Sequence, residues 1–219
     1  FVLVGDAGSG KSCFLRHLAL CWAGELLHRA GDAAGIPDAA GNHALGNDQP
    51  ATYTPVFIEL RDLFRAYDAA AVESDKPSSR EPGVNDFRSY VRDHLLPDHL
   101  AEFETELYDL LRQGKAAILL DGLDEIARAE EDDRCGQVHA LVGALAERFD
   151  TAPILITARP YAYYRTGKWV LDGFGRTELA PLPLPHQRRL AGALFAQLFS
   201  AQHSQNETDA FAKALDDVP

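Results

Sequence analysis

The amino-acid sequence predicts an α/β fold with a parallel sheet, and three observations support that prediction. Short apolar runs alternate with helix-forming segments, which is the pattern of βαβ units with right-handed crossovers. The run at residues 116–121 is apolar up to its final acid, as in a strand that is buried on both faces. A glycine-rich turn joins the first apolar run to the first helix. The sequence therefore indicates parallel strands with helices on both faces of the sheet.

Five strands are predicted in chain order. The second is rich in β-branched and aromatic residues, and the fourth is an apolar run with a basic residue at its exit. The strands are predicted to cover residues 1–4, 53–60, 116–121, 153–160 and 174–179.

Five helices are predicted, and the two longest carry apolar stripes at three- to four-residue spacing. In the first helix the stripe consists of Leu15, Leu18, Cys21, Trp22 and Leu26. In the fourth helix it consists of Val138, Leu141, Val142, Leu145 and Phe149. Pro97 separates the second helix from the third. The helices are predicted to cover residues 11–29, 87–96, 100–111, 132–149 and 186–200.

The remaining segments predict the loops and the domain boundary. Residues 35–50 are rich in Ala, Gly, Asn and Asp, and residues 74–83 are polar and contain proline, so both stretches are expected to be loops. A proline-rich stretch then precedes a helical region, which places the α/β domain at residues 1–183 and the start of a truncated helical subdomain at residues 184–219. A second helix of that subdomain is expected from residue 206 onward.

The composition indicates which binding partners and which cellular compartment to expect. The formal net charge is -12, and no Lys/Arg cluster occurs beyond Arg188 and Arg189, so nucleic acid is not favoured as a partner. Three cysteines without Cys-x-x-Cys spacing argue against a disulfide framework or a zinc site, and we expect small buried thiols in a reducing compartment. No apolar run reaches the roughly 20 residues that span a bilayer, and no signal peptide is visible. A cytoplasmic location away from membranes is therefore expected.

The chain begins inside a predicted strand and contains no Met, so we expect it to be part of a longer polypeptide.

The turn after the first strand fits the pattern of a phosphate-binding loop, G-x-x-x-x-G-K-[ST]. Glycines allow the backbone to approach an anion, and successive N–H groups of such a loop form a nest for phosphate oxygens. Lys11 offers a charge for the β- and γ-phosphates, Ser12 offers a hydroxyl for Mg²⁺, and the helix adds its positive end. The candidate nucleotide-binding residues are Gly5, Asp6, Ala7, Gly8, Ser9, Gly10, Lys11, Ser12 and Cys13.

Clustered acids follow the third strand. Asp121 stands at the strand tip, where a carboxylate is suited to hold Mg²⁺ together with Ser12. Asp124 and Glu125 follow one loop further on, where they could orient or deprotonate a water. We take Glu125 as the candidate base and Asp124 as its polarising or metal-shell partner, and the two roles could be exchanged.

Arg159 follows the fourth strand and completes the candidate site. A guanidinium pairs with phosphate through two hydrogen bonds and could report the presence of a γ-phosphate. Gly5, Asp121 and Arg159 each lie just past the carboxyl end of a predicted strand, which is where ligands bind in open α/β sheets. Three functional positions are therefore expected at one edge of the sheet.

The combined motifs resemble the NACHT family of signal-transducing NTPases, in the STAND class of P-loop ATPases. The resemblance covers residues 1–190 and rests on the phosphate loop, on Pro-Val-Phe-Ile-Glu-Leu-Arg at 55–61, on Leu-Leu-Asp-Gly-Leu-Asp-Glu-Ile at 119–126 and on Ile-Leu-Ile-Thr-Ala-Arg-Pro at 154–160. The two acids after Asp-Gly-Leu are its most telling part.

The resemblance implies a P-loop NTPase fold with sheet order 5-1-4-3-2. It also implies Walker A roles for Lys11 and Ser12, a Walker B role for Asp121, extended by Asp124 and Glu125, and a sensor role for Arg159. Proteins of this family bind ADP in a closed monomer and exchange it for ATP before they self-associate, with fused sensor and effector domains, in innate immunity and antiviral defence.

Two function classes follow. The first is a slow ATPase that binds ATP or ADP with Mg²⁺ and acts as a switch in a larger signalling or defence protein. The second is an interaction scaffold that keeps nucleotide without hydrolysing it. A separate GTPase or kinase is less favoured because no Asn-Lys-x-Asp signal occurs, and an ABC transporter is disfavoured because no Leu-Ser-Gly-Gly-Gln signature occurs.

Overall fold

The structure is a computed structural model that describes residues 1–30, 52–73, 80–126, 131–164, 167, 169–198, 207–210 and 213. The chain divides into two compact units, Phe1–Leu179 and Ala180–Pro219. The first unit holds every candidate site residue. In the second, the described helix is α7, Leu184–Leu198, and residues 207–210 are also helical. The predicted loop at residues 35–50 and most of the one at 74–83 lie outside the described residues.

A five-stranded parallel sheet forms the centre of the first unit. The strands are β1 (Val2–Val4), β2 (Thr54–Glu59), β3 (Ala116–Asp121), β4 (Ile154–Ala158) and β5 (Arg176–Glu178). Their order is β2-β3-β4-β1-β5, and every neighbouring pair is parallel. The presence of the five predicted strands is therefore confirmed, and the order 5-1-4-3-2 is the one observed. The fourth strand is shorter than predicted, because Arg159 lies beyond its end and Pro160 begins a helix.

Register places the ends of the strands at the same level. Val4 pairs with Ala158 across β1 and β4, and Glu59 pairs with Asp121 across β2 and β3. Gly5 N also donates to Ala158 O at 3.3 Å, so the first residue after β1 lies beside the end of β4. Because parallel strands share their direction, the residues that follow β1, β3 and β4 lie along one edge of the sheet.

Helices cover both faces of the sheet. The described part of the first unit contains the α-helices α1 (Lys11–Ala30), α2 (Leu60–Glu73), α3 (Val84–Tyr90), α4 (Phe103–Arg112), α5 (Glu131–Arg148) and α6 (Pro160–Tyr164).

Helix α2 is absent from the sequence-based prediction, which had assigned Leu60 to the second strand. The chain passes from β2 to α2 without a loop, because Glu59 ends the strand and Leu60 begins the helix. The helical signal was present in the sequence, since the buried positions of α2 recur at three- to four-residue spacing: Leu60, Leu63, Phe64, Tyr67 and Ala71.

The helix expected at residues 87–96 is only partly α-helical. It is α-helix to Tyr90 and then forms a π-helical turn, Val91–Leu95. Leu96 is extended (φ -93°, ψ 120°), because the residue before a proline is pushed out of the helical region. The next predicted helix begins at Phe103 and not at Leu100, after a 3₁₀ turn at Asp98–Leu100.

Two apolar clusters occupy the two faces of the sheet. Residues of β1 alternate between them, with Val2 and Val4 in the larger cluster and Leu3 in the smaller one, as expected for a strand. The larger cluster includes the whole predicted stripe of α5. The stripe of α1 contributes one fully buried residue, Leu15, to the smaller cluster, and its other members are only partly buried.

The cysteines differ from the expectation of three buried thiols. Cys135 is buried, Cys21 is partly exposed and Cys13 is exposed, because Cys13 lies on the solvent side of the first turn of α1. None of the three forms a disulfide. Among the described helices, none combines the length and the apolar character needed to cross a membrane.

Candidate functional site

The glycine-rich turn lies between the end of β1 and the start of α1, as the sequence predicts. Gly10 has φ 92°, a left-handed conformation that glycine adopts without strain. A Cβ on Gly5 would come within 2.7 Å of Ser9 Oγ, so the turn closes tightly over this position. Ser9 N donates to Asp6 O at 3.1 Å and completes the turn. The backbone is therefore folded into a compact cup at the edge of the sheet.

The start of α1 points its N–H groups into this turn. Phe14 N makes the first hydrogen bond of the helix, to Gly10 O at 2.8 Å. The amides of Lys11, Ser12 and Cys13 come earlier, in the part of a helix that has no intrahelical acceptor. Free N–H groups and the positive end of the helix favour an anion at this place.

The Lys11 ammonium is half-buried within the turn. Its Nζ donates to Gly5 O at 2.6 Å and to Asp6 O at 2.9 Å. Burial lowers the pKa of Lys11 below its ordinary value, because a less solvated site disfavours the charged form. The Asp124 carboxylate opposes this lowering, Arg159 adds to it, and Asp121 and Asp6 also oppose it. Acids from the third strand and the arginine after the fourth thus act on the same ammonium.

Asp121 ends β3 and is only 8 % exposed. Its Oδ1 accepts a hydrogen bond of 2.5 Å from Thr157 Oγ1, on the neighbouring strand β4. Thr157 Oγ1 in turn accepts a hydrogen bond of 2.8 Å from the backbone N–H of Gly122. The carboxylate is therefore held by a buried hydroxyl at the end of the sheet.

The turn after β3, residues 122–125, is named the acid turn here. Gly122 has φ 84°, which redirects the chain into the 3₁₀ turn Leu123–Glu125. Asp124 then makes two contacts with Arg159: its Oδ2 lies 2.8 Å from Nε, and its Oδ1 accepts from the backbone N–H at 3.1 Å. The Asp124 side chain is 10 % exposed and that of Arg159 is 48 % exposed. The acid is thus buried beneath an arginine that faces solvent.

Glu125 points to a different set of partners. Its Oε2 lies 3.1 Å from Nη1 of Arg61, the residue that follows Leu60 in α2. Arg61 Nη2 also contacts Glu59 Oε2 at 3.1 Å, and Glu59 Oε1 contacts Arg16 Nη2 on α1 at 2.7 Å. A chain of alternating charges therefore connects the acid turn to α1 by way of the end of β2.

The predicted site residues fall into two groups. Lys11, Asp121, Asp124 and Arg159 interact electrostatically at the edge of the sheet, whereas Glu125 is paired with Arg61. Sequence reasoning assigned no role to Thr157, Arg61, Glu59 or Arg16. A polar Thr157 inside an otherwise apolar strand, and an arginine directly after β2, were the available signals.

Oxygen donors at this edge fit a hard cation. Ser12 offers a hydroxyl and Asp121 a carboxylate, which are ligands that Mg²⁺ prefers. Across the described part of the chain, no group of three or more His, Cys, Asp or Glu side chains is placed to hold a metal ion. A cation with only the two protein oxygens of Ser12 and Asp121 would need phosphate or water as its other ligands.

A separate cleft of about 240 Å³ lies beside α2 and α3 and is lined by none of the predicted site residues. Three of its polar lining residues contact one another: Arg80 forms an ion pair with Asp86, and Tyr67 Oη donates to Arg80 O. These contacts link Arg80 to α2 and to α3, so they serve the local fold.

Comparisons with protein-family models, with curated proteins and with solved structures found no match to this chain.

Proposed function

We propose that this chain is the nucleotide-binding switch domain of a larger STAND-class protein, and that it binds ATP and ADP with Mg²⁺ and hydrolyses ATP slowly. One observation carries the proposal. Lys11 lies in a glycine-rich turn at the start of a helix, and Asp121, Asp124 and Arg159 act on its charge from two neighbouring strand ends. A phosphate-binding turn together with acids and an arginine at one sheet edge is what phosphoryl transfer requires.

Each group has a part in binding. The amides of residues 11–13 and the turn before them surround the phosphates, and Lys11 exchanges its contacts with Gly5 O and Asp6 O for phosphate oxygens. Ser12 and Asp121 would hold the cation, and Cys13 would contribute its backbone amide. When bound, Mg²⁺ offsets the charge that develops on the phosphates during transfer.

The acid turn accounts for slow hydrolysis. Asp124 is paired with Arg159 and Glu125 with Arg61, so either acid must leave an arginine before it can orient a water. Asp124 contacts Arg159 through Nε, so this pair does not occupy the terminal nitrogens of the guanidinium, which can contact a γ-phosphate. Exchange of these ion pairs gives the domain two arrangements, one with ADP bound and one with ATP bound. A nucleotide-dependent switch requires two such arrangements.

The wider role follows from the family that the motifs resemble. We propose that the domain works in the cytoplasm, fused to sensor and effector domains, and that exchange of ADP for ATP promotes self-association in a signalling or defence response. We propose neither a membrane nor a nucleic acid as a partner of this domain.

Replacement of Lys11 tests the binding step. Lys11→Ala removes charge-assisted contacts worth about 1.5–3 kcal/mol each, so ATP affinity should fall roughly ten- to hundredfold. Isothermal titration with Mg²⁺ and ATP measures the change. Lys115→Ala is the matched control, since this exposed lysine precedes β3 at the opposite end of that strand and should leave the affinity unaltered. Equal affinities for the Lys11 variant and the parent would contradict the proposal.

The ion pairs of the acid turn also favour the second candidate, a scaffold that keeps nucleotide without hydrolysing it. In that case Glu125 serves only to hold α2 through Arg61. Glu125→Gln distinguishes the two functions: loss of a general base lowers turnover by about 10²–10⁴-fold, while a scaffold shows the same release of phosphate in both proteins. Phosphate release under single-turnover conditions is the measurement, with Asp124→Asn compared in parallel because the two acids could exchange roles.

A further inference from the structure

We propose that Thr157 is a positioning residue that orients the Asp121 carboxylate as a ligand for Mg²⁺. This inference rests on the proposed function and extends it to a residue on β4 that approaches the site through Asp121. Thr157 is 1 % exposed, and its hydroxyl takes part in two hydrogen bonds, one with the end of β3 and one with the residue after it.

The direction of both hydrogen bonds is determined by the donors present. Gly122 N–H can only donate, so Thr157 Oγ1 accepts there at 2.8 Å. A threonine hydroxyl has one proton, and that proton is left for Asp121 Oδ1 at 2.5 Å. Only Oδ1 takes part in this bond. Oδ2 therefore remains clear of Thr157 and can act as the metal ligand.

The same strand also positions the acid turn. Residues two apart along a strand project to the same side of the sheet. Thr157, in β4, and Arg159, just after it, therefore project to the same side. Thr157 binds Asp121 and Gly122, and Arg159 binds Asp124. The Gly122 bond also fixes the place where the chain turns away from β3. Thr157 of β4 and Arg159 just after β4 thus hold the chain at Asp121 and at Asp124, and Thr157 lies 36 residues from Asp121 in sequence.

A purely structural threonine and a positioning threonine differ in what they affect. If Thr157 only supports the fold, its loss lowers stability and leaves the magnesium dependence of nucleotide binding unchanged. If it orients Asp121, its loss raises the Mg²⁺ concentration needed for half-saturation, because groups that orient a metal ligand typically account for about 10- to 100-fold in metal affinity.

Three variants separate these cases. Thr157→Val keeps the shape and removes the hydroxyl, and Thr157→Ser restores the hydroxyl. Thr151→Val is the matched control, since the Thr151 hydroxyl donates to Arg112 O at 3.0 Å near the start of β4, at the opposite end of the strand. Binding of a fluorescent ATP analogue is titrated with Mg²⁺, and repeated in EDTA. We expect T157V to need about 10- to 100-fold more Mg²⁺, with T157S and T151V near the parent and all four proteins alike in EDTA.

A second measurement needs no ligand. Hydrogen exchange at the Gly122 amide should accelerate in T157V and stay slow in T157S, because the acceptor of that N–H is lost only in the first. If T157V does not fold, Thr157→Cys, whose thiol is a weaker donor and acceptor than a hydroxyl, replaces it in the comparison. T157V with the magnesium dependence of the parent overturns this inference and leaves the proposed function standing. A parent chain that binds no nucleotide at any Mg²⁺ concentration overturns both.

Discussion

The charged residues at the edge of the sheet interact with residues of opposite charge. Burial lowers the pKa of Lys11, and the charges of Asp124 and Asp121 oppose that lowering. Asp124 is paired with Arg159, and Glu125 is paired with Arg61. Exposed ion pairs contribute only about 0.2–1 kcal/mol each. The pair of Asp124 with Arg159 differs, because its acid is 10 % exposed and also accepts a backbone N–H. Such a pair serves to place the arginine more than to stabilise the fold.

Tyr108 is the residue whose burial has the clearest consequence for stability. Its ring stacks on Phe149 at 5.9 Å, Arg88 lies 4.6 Å above it, and its hydroxyl is buried without a hydrogen bond to any described residue. Burial raises the pKa of Tyr108 above its ordinary value of 10.0, because the ionised form is disfavoured there.

Tyr108→Phe should therefore be tolerated at neutral pH and beneficial at high pH. The hydroxyl is buried and Arg88 lies over the tyrosine ring, so removal of the hydroxyl should change the free energy of unfolding at pH 7 by no more than about 1 kcal/mol. Above pH 10 the unfolded chain releases this proton while the folded chain retains it, so the unfolded state binds fewer protons and the parent loses stability as pH rises. The variant lacks this loss. Urea unfolding between pH 7 and pH 11 measures both effects.

Tyr67→Phe is the control for that experiment. Tyr67 is 5 % exposed, but its hydroxyl donates to Arg80 O, so its removal should lower stability at pH 7 by about 1 kcal/mol. Burial also raises the pKa of Tyr67 and of Tyr90, so some alkaline loss should persist in the Tyr108 variant. A Tyr108 variant that is less stable than the parent at every pH would show that its hydroxyl has a partner in solution.

At the scale of elements, the difference between α1 and α5 shows where stability resides. Every residue of the apolar stripe of α5 is buried in the larger cluster, whereas the stripe of α1 has one fully buried residue. Helix α5 thus anchors one face of the sheet. Helix α1 presents its first turn to the candidate site and covers the smaller cluster with partly buried side chains.

Matched leucine substitutions in the two helices test this difference. Leu141 in α5 is fully buried, and Leu20 in α1 is 64 % exposed. Leu141→Ala should lower the free energy of unfolding by about 2–5 kcal/mol through lost contacts and a cavity. Leu20→Ala should change it by less than about 0.5 kcal/mol. Both positions are helical, so the change in helix propensity is the same in the two variants. Comparable losses measured by urea unfolding would mean that Leu20 is covered in solution.

Across the whole first unit, the parallel arrangement creates the candidate site. Asp121 and Thr157 lie 36 residues apart, Asp124 and Arg159 lie 35 apart, and Arg61 and Glu125 lie 64 apart. A crossover returns each parallel strand to the same starting edge, so the residue after every strand arrives at the same end. The order β2-β3-β4-β1-β5 then makes β4 the neighbour of both β3 and β1. Thr157 and Arg159 can therefore reach the acids of β3, while Gly5 lies on the other side.

The local sequence pattern was sufficient to predict most of the strands and helices. Apolar runs located the first four strands, and the glycine-rich turn located the start of α1, because these features depend on neighbouring residues. Helix α2 was missed although its periodicity was present, since no turn residue separates Leu60 from β2. The π-helical turn before Pro97 was also missed, because the periodic pattern of residues 87–96 does not reveal where the hydrogen bonding changes.

The convergence of Gly5, Asp121 and Arg159 at one edge could be anticipated from their positions after parallel strands. Which arginine pairs with which acid could not, and neither could the role of Thr157. Asp124 and Glu125 are adjacent in sequence and chemically alike, yet one binds Arg159 and the other Arg61. The left-handed turn at Gly122 directs the two side chains to opposite neighbours, and strand register then decides which cation stands there. Residue type and spacing along the chain specify the chemistry at the strand ends, whereas pairing depends on distances across the sheet that exist only in the folded protein.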